Sequence, residues 1–512
     1  MKFINVILSV LMSLLIGLLV FEGGLRLIGK GPPTTLTEFD PLQGWSNKAG
    51  QTITRGTVEG FDVTYGFNEY GMRDDAVSPE KPEDLTRVVA LGDSFTLGLT
   101  VRRDYLFVDL IEKLWTAGQE LEVLNTGTEA YSTDQQVAWL EANGAEWKPD
   151  IVLLFPYEND IYWNGQTDYV GTAKPRYSED GTLEDRELTN TMERGWVGGS
   201  AIGRLFSGGQ SAPTFTVNGA VLPKEFGVLL DEEPDFITEA VAHTRGSMLA
   251  LARLCKELGA QGLVVPIPSH SCVDPEYRKT FETERLPALA NLDWSPDRPV
   301  DIFLELAREA GLQTLDVRER FRAKTKDGVD LYFDKDWHLN EQGNVELASA
   351  VNEAGIELEL ISSTASETPP DLVAGPSPSP AWPRWYAGLL LVLGGIYSVT
   401  YRKVDPFPMG FLKVGALLAV IFTIAVGGMS LLATMSPQAS SMILLLVILA
   451  ILGFVLYKLG DRVGTISELL VAFVGRGHWY LMPLVTILLT IGSLLVVAAS
   501  SPLVAPFIYT LF

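Results

Sequence analysis

The chain has 512 residues, of which 47% are apolar and 20% charged, with a formal net charge of −24. That length exceeds one ordinary domain, and so acidic a surface repels phosphate backbones, which excludes nucleic acid as a partner. The charge is unevenly spread: residues 384–512 carry seven basic and three acidic side chains, a net +4, whereas the other 383 residues carry 32 basic and 60 acidic ones, a net −28.

In chain order, the first feature is the apolar run from Phe3 to Phe21, preceded by Lys2. About 20 such residues can cross the hydrocarbon core of a bilayer. The following Phe21-Glu22-Gly23-Gly24-Leu25 holds no small-x-small cleavage site, so residues 1–30 read as an uncleaved anchor, with a cleaved signal peptide as the alternative. Residues 31–362 read as one domain. Five short apolar runs, Arg87–Leu91, Glu122–Asn125, Ile151–Phe155, Gly262–Ile267 and Gln313–Val317, have the look of buried parallel strands. Helical patterns near 104–117, 133–143, 235–258, 299–310 and 341–358 alternate with them. The alternation predicts an α/β fold, a five-stranded parallel sheet covered on both faces, with its functional residues at the carboxyl ends of the strands.

Residues 163–233 interrupt the alternation with a Gly-rich polar stretch containing Trp196, Phe206 and Phe215. A loop that long is a lid or substrate-facing insertion, or is disordered. Residues 363–383, rich in Pro and Ser, read as a stiff linker. Four more apolar segments follow, at about 385–400, 409–434, 441–457 and 480–500, and predict a four-helix transmembrane domain over 384–512. Arg402 and Lys403 follow one span, and Lys458, Arg462 and Arg476 lie between the last two, so these loops face the cytoplasm by the positive-inside rule and residues 31–383 lie outside. Thr465–Val474 is amphipathic and suits the membrane interface. The bilayer is thus one expected partner. The two cysteines, Cys255 and Cys272, read equally as one disulfide or as two buried thiols.

The chemistry lies in four blocks. Leu91-Gly92-Asp93-Ser94-Phe95 places a serine at a strand-to-helix turn; Asn125-Thr126-Gly127 and Glu158-Asn159-Asp160 follow two further strands; Asp336-Trp337-His338 comes near the domain's end. A hydroxyl becomes a useful nucleophile when a base takes its proton. Of the four histidines, His243 lies in a helical pattern, His478 in a cytoplasmic loop, and His270 lacks an acid immediately beside it. His338 has Asp336 two residues before it, on the same side of an extended chain, so Ser94, His338 and Asp336 are the candidate triad, with Asp334 a second candidate acid of the same parity. Ser94 backbone N–H, Gly127 and the Asn159 amide are candidate oxyanion donors. No His/Asp cluster has metal-ligand spacing, and no cofactor is implied. Gly-x-Ser-x-Gly is absent, which disfavours an α/β-hydrolase elbow.

These four blocks resemble the SGNH (GDSL-type) hydrolase superfamily over roughly residues 60–360. The flanks Asn68-Glu69-Tyr70-Gly71-Met72-Arg73 and His338-Leu339-Asn340-Glu341-Gln342-Gly343 resemble its membrane-anchored bacterial members. The resemblance implies a three-layer α/β/α fold, Ser94, Gly127 and Asn159 as the oxyanion hole, and a multi-pass protein of the bacterial plasma membrane whose catalytic domain is extracytoplasmic. Two positions depart from the usual pattern. Lys335 stands where the acid three residues before the histidine is usual, and Asp336 fits the Asp-x-His spacing of some polysaccharide-acetylating relatives. Tyr157 replaces the glycine of Gly-x-Asn-Asp. The last 49 residues resemble a family of very small bacterial membrane proteins of unknown function. The expected activity is hydrolysis of O-acyl, chiefly O-acetyl, esters of a cell-surface glycan or a small ester. The alternatives are O-acetyl transfer with a separate membrane donor protein, and a non-catalytic glycan-binding scaffold.

Overall fold

The computed structural model describes residues 34–116, 120–190, 213–361, 382–400 and 406–433, with Glu22 and Ser200 besides. Chain contacts divide the protein into Leu25–Ser377 and a second unit, Met1–Gly24 with Pro378–Phe512.

The first unit opens with two antiparallel hairpins, β1 (Thr37–Asp40) with β2 (Gly44–Asn47) and β3 (Thr52–Gly56) with β4 (Asp62–Gly66). Then come β5 (Thr86–Gly92), β6 (Leu121–Asn125) and β7 (Ile151–Phe155). Two small hairpins, β8 (Asp168–Tyr169) with β9 (Thr172–Ala173) and β10 (Thr214–Val217) with β11 (Ala220–Pro223), precede β12 (Gln261–Val264) and β13 (Gln313–Thr314). The main sheet runs β13-β12-β7-β5-β6, all parallel. Because both faces are covered, the central strands are apolar at nearly every position. Val88, Ala90, Ile151, Leu153 and Phe155 face one core with Phe107, Ile111, Leu347 and Val351. Val89, Leu91, Val152 and Leu154 face the other with Val137, Leu140, Leu251 and Phe303. Each such side chain contributes about 1.5–3 kcal/mol by leaving water. The result is a three-layer α/β/α sandwich.

The five expected strands and five expected helices are present, with edges moved for local reasons. Pro266, which has no N–H to donate, interrupts the ladder after Val264, although Val265 and Ile267 still bond the Leu154 and Pro156 carbonyls. The last strand stops at Thr314, and Asp316 turns to accept the Arg318 N–H at the start of the helix Arg318–Lys326. The helix expected over 133–143 continues to Trp147. Gly144 lets it approach the helix Asp235–Leu258, since a Cβ there would lie 2.7 Å from Leu258 Cδ1. The two N-terminal hairpins are additional to the expected elements. Val63, Tyr65 and Phe67 pack with Leu36 and Leu97 in a third small core.

The described parts of 163–233 are joined to the sandwich. Tyr177 and Leu222 are fully buried in the second core, and Lys174 pairs with Asp134, both side chains wholly inaccessible. Trp196 and Phe206 lie outside the described residues. Cys255 and Cys272 are free, buried thiols, not a disulfide.

In the second unit, helices span Trp382–Thr400 and Phe407–Ala433, the first beginning two residues inside the segment read as linker. Tyr386 Oη donates to the Gly415 carbonyl and Ser398 Oγ to that of Phe407. Among the described residues no helix is long and apolar enough to cross a membrane, so the expected spans at 385–400 and 409–434 gain no structural support. The segments 3–21, 441–457, 480–500 and 465–474 lie outside the described residues.

Removing one partner of a buried ion pair strands the other charge. Lys174→Met is therefore expected to lower the stability of the sandwich by roughly 3–5 kcal/mol, read as an earlier midpoint in urea unfolding. An unchanged midpoint would show that the insertion is not held by this pair.

Candidate active site

β5 ends at Gly92, and Asp93 caps the short helix Ser94–Leu97 by accepting the Phe95 N–H at 2.8 Å. This places Ser94 at the helix N-terminus, at the carboxyl edge of the sheet. Asn125, the last residue of the neighbouring β6, donates from Nδ2 to the Thr96 carbonyl at 2.9 Å. Gly127 presses against the same helix: a Cβ there would lie 2.2 Å from the Leu97 nitrogen, so only glycine fits. Asn47 of β2 donates to the Gly127 carbonyl at 2.9 Å.

His338 enters from a point 244 residues further along the chain. Its Nε2 lies 2.8 Å from Ser94 Oγ, and its Nδ1 lies 2.5 Å from Asp336 Oδ1. The imidazole is almost wholly buried and its ring centre lies 4.6 Å from that of Phe95 with 46° between the planes, and Phe95 in turn lies 4.4 Å from Tyr157 at 34°. Tyr157 is thus one of two aromatic rings packed in a row behind the histidine. Asp334, the alternative acid, is exposed; the carboxylate on the ring is that of Asp336.

Asp336 is unusually well supplied with donors. Thr100 Oγ1 donates to its Oδ2 at 2.7 Å, and the His338 backbone N–H to its Oδ1 at 3.2 Å. Burial pushes its carboxyl up, but the His338 hydrogen bond and charge and the Thr100 hydrogen bond outweigh this and hold it at about 2. An ionised carboxylate can only accept, so Nδ1 carries the ring proton and Nε2 is left to accept from Ser94.

The supports of Asp336 come from the N-terminal hairpins. Glu59 Oε1, between β3 and β4, accepts the N–H of both Lys335 and Asp336, at 2.7 and 2.9 Å. Thr100 sits at φ +69°, uncommon for a β-branched residue, and its N–H donates to Tyr65 Oη at 3.2 Å. Buried Arg73, with its guanidinium 4.6 Å from the Tyr65 ring, bonds the carbonyls of Leu97, Gly98 and Val101. Arg55 of β3 forks onto Glu129 with two 2.9 Å bonds, just beyond Gly127.

The three candidate oxyanion donors differ in state. The Gly127 N–H is engaged by Asn125 Oδ1 at 3.0 Å. Asn159, four residues past the end of β7, has a buried Oδ1 with no partner among the described residues. Ser94 N–H stands at the start of its helix. Beside Asn159, burial pushes Glu158 up to about 7. Asp160 accepts from Thr133 and Gln136, and burial, then the nearby Asp93, push its carboxyl well above the usual range. Asp93 is itself pushed up by burial to about 6.

The functional residues absent from the sequence reading are Glu59, Thr100 and Asn125 in their holding roles. The Asn125-Thr126-Gly127 block drew attention, but only to its glycine. Nothing local marks Glu59 or Thr100.

A hydrogen-bonded Ser–His–Asp row at the carboxyl edge of a five-stranded parallel sheet is the class of arrangement that fold and site define. The model of a family of unknown function (DUF5989) matches residues 463–512, the tail segment, outside the described residues. No curated protein matches the chain. Among solved structures the chain is similar to TesA, 15% identical over 53% of this chain and 99% of that one, with a TM-score of 0.30. It is similar also to the lipase/acylhydrolase from Enterococcus faecalis, 17% identical over 53% and 95% with a TM-score of 0.27. A third, the acetyl xylan esterase AlAXEase, is 17% identical over 53% and 100% with a TM-score of 0.31. At such identities and scores, nothing about activity passes from those proteins to this one.

Because the folded pKa of Asp336 lies below its ordinary value, its ionised form favours the folded chain. That contribution is complete above about pH 5 and disappears as pH falls through about 2. The stability gap between wild type and Asp336→Asn is expected to narrow from pH 5 towards pH 2 in urea unfolding. A gap that stays constant would show that Asp336 is not held ionised.

Proposed function

We propose that the chain is a serine ester hydrolase of the SGNH type, acting on O-acyl esters, with O-acetyl groups of a cell-surface glycan as its substrate class. The observation that carries this reading is the continuous row Ser94 Oγ, His338 Nε2 at 2.8 Å and Asp336 Oδ1 at 2.5 Å from Nδ1. His338 takes the Ser94 proton as Oγ attacks the acyl carbon, and Asp336 stabilises the imidazolium that forms. The developing oxyanion meets the Ser94 N–H and the Asn159 side chain, while Gly127 serves to bring its loop against the nucleophile turn. His338 then returns the proton to the leaving alcohol, and water releases the acyl group from Ser94 by the same steps in reverse.

Attachment to a bacterial plasma membrane, with this unit outside, belongs to the same proposal. Its support is the apolar run 3–21, the four apolar segments after residue 384 and the placing of Arg402, Lys403, Lys458, Arg462 and Arg476 between them. A sugar hydroxyl in place of water would make the same acyl-enzyme a transferase, and apolar segments at both ends, which suit work on a membrane-linked acceptor, favour that second reading.

The test is turnover of 4-nitrophenyl acetate by the full-length protein. Ser94→Ala and His338→Ala are each expected to lower kcat by about 10³-fold or more, and Asn159→Ala by about 10²-fold with little change in KM. Thr100→Val should lower kcat by about ten- to a hundredfold and Thr100→Ser restore it, since loss of one charge-assisted hydrogen bond is worth about 1.5–3 kcal/mol. Turnover that survives both Ser94→Ala and His338→Ala would reject the serine mechanism.

A further inference from the structure

The residue between the acid and the base is Trp337, and it is 61% exposed. Of the tryptophans whose burial is described, Trp337 alone stands exposed; Trp45, Trp115, Trp147, Trp163 and Trp294 are buried and Trp139 is partly so. An indole left in water is unfavourable, and Trp337 is not free to fold away. The Asp336 N–H is fixed by Glu59, and the His338 carbonyl accepts the Phe333 N–H at 3.1 Å. Its ring centre lies 6.4 Å from that of His338, with 41° between the planes.

The reaction says which part of an ester would meet that ring. His338 must hand its proton to the leaving oxygen, so the alcohol part of the ester lies on the imidazole's side, whereas the acyl oxygen points towards Ser94 N–H and Asn159. We infer that Trp337 is the floor of a pyranose subsite for the alcohol part of the substrate, an inference that rests on the ester-hydrolase reading. A pyranose presents a face of positively polarised C–H groups to the negative face of an indole and keeps its hydroxyls at the edge, towards water. A single exposed platform suits such a ring. It does not suit an aliphatic chain, which needs enclosure on several sides. The net −28 of the 383 residues outside the tail also favours a neutral sugar over an anionic one.

The steps balance. Ser94 Oγ bonds to the acyl carbon and its proton passes to His338. The bond from acyl carbon to sugar oxygen breaks, and that oxygen leaves with the proton. Water then bonds to the acyl carbon while one of its protons passes to His338, the bond from acyl carbon to Ser94 Oγ breaks, that proton returns to Oγ, and the free acid departs.

The test compares glucose pentaacetate, in which every ester has a pyranose as its alcohol, with ethyl acetate, whose alcohol has no ring. With full-length protein, Trp337→Ala is expected to lower the ratio of kcat/KM for the sugar ester to that for ethyl acetate by about tenfold, mostly through KM. Trp337→Phe should keep the ratio within about threefold of wild type, because it retains an aromatic face. An unchanged ratio in Trp337→Ala overturns the subsite. If the wild type cleaves neither ester, the hydrolase reading fails, and the subsite is then judged by binding alone. Glucose pentaacetate is titrated into Ser94→Ala protein with tryptophan fluorescence as readout. A saturable change that disappears in Ser94→Ala/Trp337→Ala keeps the subsite; no saturable change removes it.

Discussion

A carboxylate two residues before a histidine can orient the imidazole only if the intervening loop is prevented from relaxing, and can stabilise the imidazolium only if it stays ionised while partly buried. Both conditions meet at Asp336. Its two oxygens receive the imidazole N–H, the His338 backbone N–H and the Thr100 hydroxyl. Its own N–H and that of Lys335 are tied to a single oxygen of Glu59. Three donors into a low-dielectric corner keep the charge that desolvation would otherwise remove. The tautomer of His338, and with it the direction of the Ser94 hydrogen bond, follows from that charge.

The hairpins β1–β4 are therefore working parts of the site. Asn47 steadies the Gly127 carbonyl, Arg55 grips Glu129, Glu59 fixes the acid's backbone, and Tyr65 with Arg73 holds the strained loop that carries Thr100. The nucleophile turn is clasped between this layer and the sheet, with Leu97 packed among Val63, Tyr65 and Phe67. The Asn68–Arg73 segment has a physical role here. Asn68 Oδ1 accepts the N–H of Tyr70 and Met72 and so shapes the turn that delivers Arg73.

What was legible in the sequence was whatever repeats locally. The runs Val88–Leu91 and Ile151–Phe155 announced central strands because both faces of a parallel sheet are dry. Gly92-Asp93-Ser94 and Asp336-x-His338 announced the row because their geometry is set within three residues. The hairpins were not legible. β1, β2 and β3 each hold a single large apolar residue, Phe39, Trp45 and Ile53, while β4 does alternate, with Val63 and Tyr65 turned inward, but over only five residues, so the signal of a half-buried strand is short and easily passed over. Nor were the Thr100 and Glu59 contacts, which bridge 236 and 277 positions. Gly127 sits where backbone approaches closely, but its N–H, expected to serve the oxyanion, is turned to Asn125. That contact depends on a side chain two residues earlier, whose direction no pattern fixes.

The span of 244 residues between Ser94 and His338 has a consequence for the order in which the protein comes into being. A ribosome adding about 5–20 residues per second releases the Ser94 turn roughly 12 to 50 seconds before His338 exists. Through that interval the serine is an ordinary alcohol, because neither the imidazole nor the carboxylate that aligns it has been made. The sheet is parallel and its pairings are distant in sequence, so closure waits on non-local contacts that form slowly. The row of Ser94, His338 and Asp336 thus cannot close until the chain has been made as far as the helix Glu341–Glu357 that follows His338.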